Sequence, residues 1–193
     1  MKFLVINGHK YYPYAPGKLN QTLFDYIISV LKEDGHEIKT TVVEKGTEGE
    51  SDYNVDEEIE KYKWSDMVIY QTPMNWFSIP WIFKKYFDTI LKGGIFYTGA
   101  KDYGSGGLMG GKKYMFSVTC NSPAYAFENI EEFYNGKSPD ELLVALHKMH
   151  EFCAMQPVKS YFAFDAVHNP DIERFKKELR NHINTFVLNK YIS

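Results

Sequence analysis

The 193-residue chain has few of the devices with which a protein supplements a weak core. It has only two cysteines, Cys120 and Cys153, far apart and in no CxxC pair. A disulfide framework is therefore not indicated. None is needed, because a chain of this length buries roughly 70 % of the surface it exposes when unfolded. No apolar run approaches the ~18 residues needed to span a bilayer. Met1-Lys2 leads straight into a strand-like run, which leaves no room for a signal peptide. No basic stripe occurs and the net charge is −3, which argues against nucleic acid and anionic membrane as partners. The expectation is one cytoplasmic domain over residues 1–193.

Several site signatures are also missing. The segment "NGHKYYPYAPG" after the first apolar run is not GxGxxG, although Glu44 stands where a ribose-binding acid could. "GGLMGGKK", Gly106 to Lys113, approaches GxxxxGK[ST]. Lys113 occupies the Ser/Thr position, however, and the segment precedes a strand instead of following one, so these glycines fit a flexible or close-packed crossover. A receiver domain would need acids where Asn7-Gly8 and Thr72-Pro73 stand. His147 and His150 lie three apart in "HKMHE", which is neither HExxH nor HxxEH, and no acid or cysteine cluster completes a metal site. His147 is read as a hydrogen-bond or proton partner facing a pocket, and His150 as helix surface. Cys120 has no neighbouring base in sequence and is not proposed as a nucleophile.

Aromatic residues are plentiful, at 17 % with 15 Tyr and 14 Phe. "FLVI" (3–6), "HEIKTTVVE" (36–44), 67–71, "KKYMFSVTC" (112–120) and "VKSYFAFDA" (158–166) pattern as five strands. Helical spacing places helices after Leu19, over 55–64, from Pro80 to Leu91, over 139–154 and over 171–188, with a polar loop at 44–54. Alternation of this kind implies an α/β fold, a parallel sheet with helices on both faces. Ligands then sit beyond the carboxyl ends of the strands. Three unusual loops meet there: 8–20, 73–77 and 119–125. The first opens a helix whose free N–H groups suit phosphate. The second, "PMNWF", puts two large aromatics where a polar turn is usual. Phosphate at one loop and a flat apolar surface at the next suit a nucleotide carrying a planar ring.

"NWFSIPWIFKKYFD" (75–88) resembles the flavin loop of the two-electron quinone reductases, the DT-diaphorase family. "ING" (6–8), "GKLNQTL" (17–23), "DYGSGGLMGGKKYM" (102–115), "TCNSPAYAF" (119–127) and "HKMHEFCAMQP" (147–157) resemble the NAD(P)H quinone reductases of the modulator of drug activity B type within it. The resemblance covers nearly the whole chain. It implies a flavodoxin-like fold with a doubly wound five-stranded sheet in the order 2-1-3-4-5. It also implies FAD, a homodimer with sites at the interface, and hydride transfer from NADPH or NADH through the flavin to a quinone. One slot used twice implies ping-pong kinetics. Carried over by position, Ala15, Pro16, Gly17, Lys18, Leu19, Asn20, Gln21 and Thr22 would bind the FAD phosphates. Met74, Asn75, Trp76 and Phe77 would flank the isoalloxazine. Thr119, Cys120, Asn121, Ser122 and Tyr125 would meet its polar edge, and Tyr103 would close the pocket from the partner subunit. Trp76, Phe77, Tyr103 and His147 are the residues expected nearest the chemistry. The chain departs from that group at Met74-Asn75, which bears on substrate choice. An FMN-dependent azoreductase- or nitroreductase-like enzyme and a flavodoxin-type electron carrier remain the alternatives.

Overall fold

The structure is a computed structural model that describes residues 1–44, 53–168 and 170–190; most of the expected polar loop at 44–54 lies outside the described residues. Elements follow in the order β1 (Lys2–Asn7), α1 (Lys18–Glu33), β2 (Glu37–Val42), α2 (Val55–Trp64), β3 (Met67–Pro73), α3 (Trp81–Ile90), β4 (Lys113–Thr119), α4 (Pro139–Leu142), α5 (Val144–Phe152), β5 (Gln156–Pro157), β6 (Tyr161–Ala163) and α6 (Ile172–His182). All strand pairs are parallel, in the order β2-β1-β3-β4 with β5 and β6 both pairing β4. The expected order 2-1-3-4-5 and the two helical layers are present.

Phe3, Leu4, Val5 and Ile6 have no solvent exposure, as befits a central strand covered on both faces. Leu4 and Ile6 face a core that includes Ile59 and Tyr62 of α2, Phe83 and Phe87 of α3 and Leu146 of α5. Phe3 and Val5 face the other core, with Leu23 and Ile27 of α1 and Phe175 and Leu179 of α6. Among the described residues no helix is long and apolar enough to cross a membrane. Both cysteines are free and buried.

Four elements differ from the sequence pattern. The fifth strand is split. Lys113 pairs Gln156 and Ser117 pairs Tyr161, so four steps on β4 face five on the outer chain. That one extra residue is a bulge, and the Lys159 carbonyl there turns aside to accept from His182 Nε2 at 2.7 Å. The helix expected over 139–154 breaks at Leu143, which is buried at φ −93° and ψ 13° between α4 and α5. Pro80 caps α3 instead of opening its first turn, its carbonyl accepting from Phe83 N at 2.9 Å. The closing helix changes to π geometry over Ile183–Val187. Of the two readings of the glycine-bearing crossover, Gly106 and Gly107 take the close-packed one, a Cβ on them lying 2.0 Å from the Thr98 carbonyl oxygen and 2.4 Å from the Ala154 nitrogen, whereas Gly110 and Gly111 have open space around them.

The expectation that His150 lies on the helix surface is overturned. Leu146, His150 and Cys153 follow one another at four and three residues, which is one helix face, and all three are buried. His150 Nδ1 donates to the Leu146 carbonyl at 2.7 Å, and Nε2 accepts from the Tyr70 hydroxyl at 2.8 Å. Burial first, and the neighbouring His147 to a lesser extent, hold its imidazole down at about 4, against an ordinary 6.5. Folded, the ring stays neutral to about pH 4; unfolded, it takes a proton near 6.5. Its stabilisation is therefore complete above pH 6.5 and declines as pH falls between those values, by about 1.4 kcal/mol per pH unit. Urea unfolding at pH 7.5 and 4.5 is expected to show the His150→Gln variant losing about 2 kcal/mol less than wild type over that interval. Equal losses would show that another group carries the titration.

Candidate active site at the carboxyl ends of the strands

Asn7, the last residue of β1, opens the site. Its Oδ1 accepts from the amide of His9 (3.1 Å) and from Asn20 Nδ2 (2.8 Å), and its Nδ2 donates to Gln21 Oε1 (2.8 Å). Asn20 Oδ1 accepts from Gln71 Nε2 (2.9 Å), and Gln71 Oε1 accepts from Ser117 Oγ (2.7 Å). A chain of buried amides thus crosses the ends of β1, β3 and β4 and pins α1 above them. A buried polar group without a partner costs about 1–3 kcal/mol, so the satisfied chain fixes one register for the helix.

The N-terminus of α1 stands open. Its N-cap is Gly17 in the left-handed region at φ 74°, no side chain caps it, and its first turn carries no acid. A helix of 16 residues with three amide donors directed outward attracts an anion. A Cβ on Gly17 would lie 2.1 Å from His9 Nε2, so the ring occupies the space a larger residue would need. His9 Nε2 donates to the Ala15 carbonyl at 3.3 Å. Its pKa is lowered, first by burial and then by Lys10, against raising contributions from the Ala15 carbonyl and Glu44. Glu44 pairs with Lys10 Nζ at 2.6 Å and accepts from the Tyr11 amide, anchoring the loop after β1 to the end of β2.

The aromatic turn is strained. Asn75 and Ser78 exchange two backbone bonds (2.7 and 3.1 Å) around Trp76 at φ 47° and Phe77 at φ 65°. Turns of this shape favour Asn-Gly because both central residues are left-handed. Two aromatics there cost on the order of 1–3 kcal/mol each and persist only where surroundings enforce them. Phe77 stacks on Phe133 (5.9 Å, 25°) and meets Tyr134 edge-on (6.3 Å, 73°). Tyr134 is itself held by Phe127 (4.1 Å, 12°) and by the Ser122 hydroxyl at 2.6 Å. Trp76 has no such cover and is 89 % exposed. The Met74 amide donates to the Thr119 carbonyl, so among the described residues the turn's amides without a backbone acceptor are those of Trp76 and Phe77.

These parts line a groove of about 410 Å³. It brings together Ala15, Pro16, Gly17, Lys18, Leu19, Asn20, Met74, Asn75, Thr119 and Asn121 of the residues expected from sequence. It adds His9, Lys10, Tyr12, Tyr14, Pro73, Pro80, Ala166 and Val167. The long loop after strand one was the available signal for the first four; nothing local marks Ala166 and Val167, which the Asn121 side chain secures through the Val167 amide at 3.2 Å.

The remaining expected residues lie outside the groove lining. Gln21 joins the amide chain and Thr22 bonds the Lys18 carbonyl. Cys120 points into a small core, 3.7 Å from Met74 Sδ, and burial raises its thiol pKa. Ser122 holds Tyr134, and Tyr125, three residues after Ser122, is exposed. Trp76 and Phe77 form the turn next to Asn75. Tyr103 is 99 % exposed, meets the Phe152 ring at 5.8 Å and borders a separate cavity of about 460 Å³ beside α5. His147 lies between Tyr114 OH (2.8 Å to Nδ1) and Asp140 (3.2 Å to Nε2), toward the opposite end of β4.

A family model described as flavodoxin-like fold matches residues 1–186. The NADPH:quinone oxidoreductase MdaB of Haemophilus influenzae is 35 % identical over 193 aligned positions, 95 % of this chain and 97 % of its own length. A candidate quinone reductase from Klebsiella pneumoniae superposes with TM-score 0.75 at 22 % identity, over 96 % of this chain and 84 % of that one. The general stress protein 14 of Treponema denticola, solved in complex with FMN, superposes with TM-score 0.69 at 17 % identity, over 96 % and 97 %. At those identities the two structures bear on the fold alone.

Proposed function

The chain belongs to the flavodoxin-like fold family, and from that membership we propose that it is an NAD(P)H:quinone oxidoreductase that holds FAD in the groove. The H. influenzae relative is named for that activity. The observation that carries the proposal is the pairing of an open helix N-terminus with a strained aromatic turn along one groove. The first suits a phosphate group and the second a flat ring, and the residues present fit a flavin nucleotide.

Bound there, a flavin supplies acceptance of a hydride from the nicotinamide and its delivery to the quinone. The chain's own groups bind, orient and exclude water. The amides of Lys18, Leu19 and Asn20 direct partial positive charge at phosphate. Met74 and Asn75 flank the ring, and the indole of Trp76 covers it. The amides of Trp76 and Phe77 favour negative charge on the ring's polar edge. Thr119 and Asn121 bound that edge from β4. Tyr103 sits outside its own chain's groove, which fits a homodimer in which it closes the partner's site. His147, bonded to Tyr114 and Asp140 away from the groove, has no part in the hydride step.

Trp76→Ala is expected to raise the flavin dissociation constant about tenfold, from a stacking contact of ~0.5–1.5 kcal/mol plus its lost burial. The melting temperature of the flavin-free protein is expected to move by little, because an exposed side chain contributes within about ±0.5 kcal/mol to folding. Fluorescence titration with FAD, paired with thermal unfolding, checks both; an unchanged dissociation constant would show that the indole does not cover the ring. Initial rates with NADPH or NADH and menadione test the activity. Parallel double-reciprocal lines are expected from one slot occupied in turn, and intersecting lines would require both substrates bound together. The second proposal is an FMN-dependent azoreductase-like enzyme, in which the same helix N-terminus and aromatic turn hold a mononucleotide flavin. Mass spectrometry of the released flavin distinguishes the two.

A further inference from the structure

The aromatic turn after β3 does not hold itself. Trp76 and Phe77 both sit in the left-handed region, at φ 47° and 65°. Residues with a Cβ stay there only where their surroundings enforce it. Trp76 is exposed, so the hold falls on Phe77. Two rings of the long loop after β4 pack on it. Phe133 stacks on Phe77 at 5.9 Å but is itself exposed. Tyr134 meets Phe77 edge-on at 6.3 Å and is buried. Phe133 in turn leans on Tyr134, at 4.9 Å and 83°. Tyr134 is the fixed member of the three.

Three sets of contacts fix Tyr134. Its ring stacks on Phe127 (4.1 Å, 12°), which meets Phe164 just past β6 (5.6 Å). Its hydroxyl shares a 2.6 Å hydrogen bond with Ser122 Oγ, and the Ser122 carbonyl accepts from the Asp165 amide at 3.3 Å. Its backbone opens the turn Tyr134-Asn135-Gly136-Lys137. There Asn135 and Gly136 take φ 52° and 76°, and the Lys137 amide donates to the Tyr134 carbonyl at 3.1 Å. Asn-Gly suits a turn with two left-handed residues. A turn whose residues fit it thus carries the ring that braces a turn whose residues do not. Through Ser122 and Phe77, this one side chain also ties the loop after β4 to the turn after β3.

Resting on the flavin reading above, we propose that Tyr134 is a positioning residue for the redox chemistry: it holds the turn after β3 so that the Trp76 and Phe77 amides stay directed at the ring's polar edge. Those amides favour negative charge, which the ring carries when reduced. Bracing them raises the affinity for reduced flavin relative to oxidised, and with it the two-electron potential. Tyr134 is not part of the groove lining and acts through Phe77 and Ser122.

The experiment measures the potential of the bound flavin by anaerobic equilibration with a reference dye. It uses the full chain loaded with FAD, and in parallel with FMN, as wild type, Tyr134→Phe and Tyr134→Leu. Melting temperatures of the flavin-free proteins are recorded alongside. Tyr134→Leu removes both contacts and is expected to weaken the preference for reduced over oxidised flavin about tenfold, a fall of about 30 mV. Tyr134→Phe keeps the ring but frees it from Ser122, and is expected to weaken that preference about threefold, or about 14 mV. Should Tyr134→Leu fail to fold, Tyr134→Phe decides alone. Lower melting temperatures with unchanged potentials would show that Tyr134 serves only the fold, and would overturn the inference. So would an equal loss of affinity for both redox forms. Either result leaves the flavin reading standing, whereas wild type that binds neither FAD nor FMN would overturn both.

Discussion

Gly17→Ala is expected to weaken flavin binding about a hundredfold. Gly17 holds φ 74°, a region that disfavours any residue with a Cβ by about 1–2 kcal/mol. The added Cβ would also lie 2.1 Å from Nε2 and 2.3 Å from Cε1 of the His9 ring. Relief requires either the ring to leave its place at the groove wall or the first turn of α1 to rotate. Either movement misdirects the amides assigned to the phosphates. Hydrogen bonds to a charged group contribute ~1.5–3 kcal/mol each. Losing one or two corresponds to about 2.7 kcal/mol, or a hundredfold. The fold itself is expected to lose only about 1–2 kcal/mol, because α1 stays docked through Leu23, Ile27 and Leu31. Flavin titration and thermal unfolding of the same preparation separate the effects. Wild-type affinity in this variant would place the phosphates elsewhere.

Gln71→Leu is expected to be the most destabilising single change at the site. Gln71 has no solvent exposure, and its amide links Ser117 on β4 to Asn20 on α1. Leucine fills much of the volume but abandons the Ser117 hydroxyl and the Asn20 carbonyl oxygen. At about 1–3 kcal/mol for each of the two groups left unpaired, the cost is about 2–6 kcal/mol. For a chain of this length that corresponds to a fall of roughly 5–25 °C in melting temperature. Removing an abandoned partner as well is less harmful than leaving it. Ser117→Ala in the Gln71→Leu background is therefore expected to restore about 1 kcal/mol, whereas alone it destabilises. Denaturant midpoints of the four proteins form the cycle. Purely additive losses would show that the two side chains do not act as one chain.

The sequence made some features of the molecule legible and hid others for identifiable reasons. The strands were readable because β1, β3 and β4 are apolar runs buried on both faces, and the helix over 55–64 because its apolar residues recur at helical spacing. That three loops gather at one edge followed from parallel topology. Hidden features depend on pairings between distant positions. Asn7, Asn20, Gln71 and Ser117 are ordinary polar residues in sequence, and only the fold makes them neighbours. His150 was misplaced because histidine is polar on average, although its spacing from Leu146 and Cys153 carried the signal. The bulge at 158–160 answers to His182, more than twenty residues away. Trp76 and Tyr103 were legible as exceptional residues, yet within one chain they stand beside the groove and away from it, respectively.

Anaerobic titration of the purified, flavin-loaded protein tests the proposal that the groove holds a flavin through which a nicotinamide reduces a quinone. NADPH or NADH is expected to bleach the yellow absorbance, and one equivalent of menadione is expected to restore it. Protein that stays colourless after addition of FAD and FMN, or bound flavin that neither nicotinamide bleaches, would contradict the account.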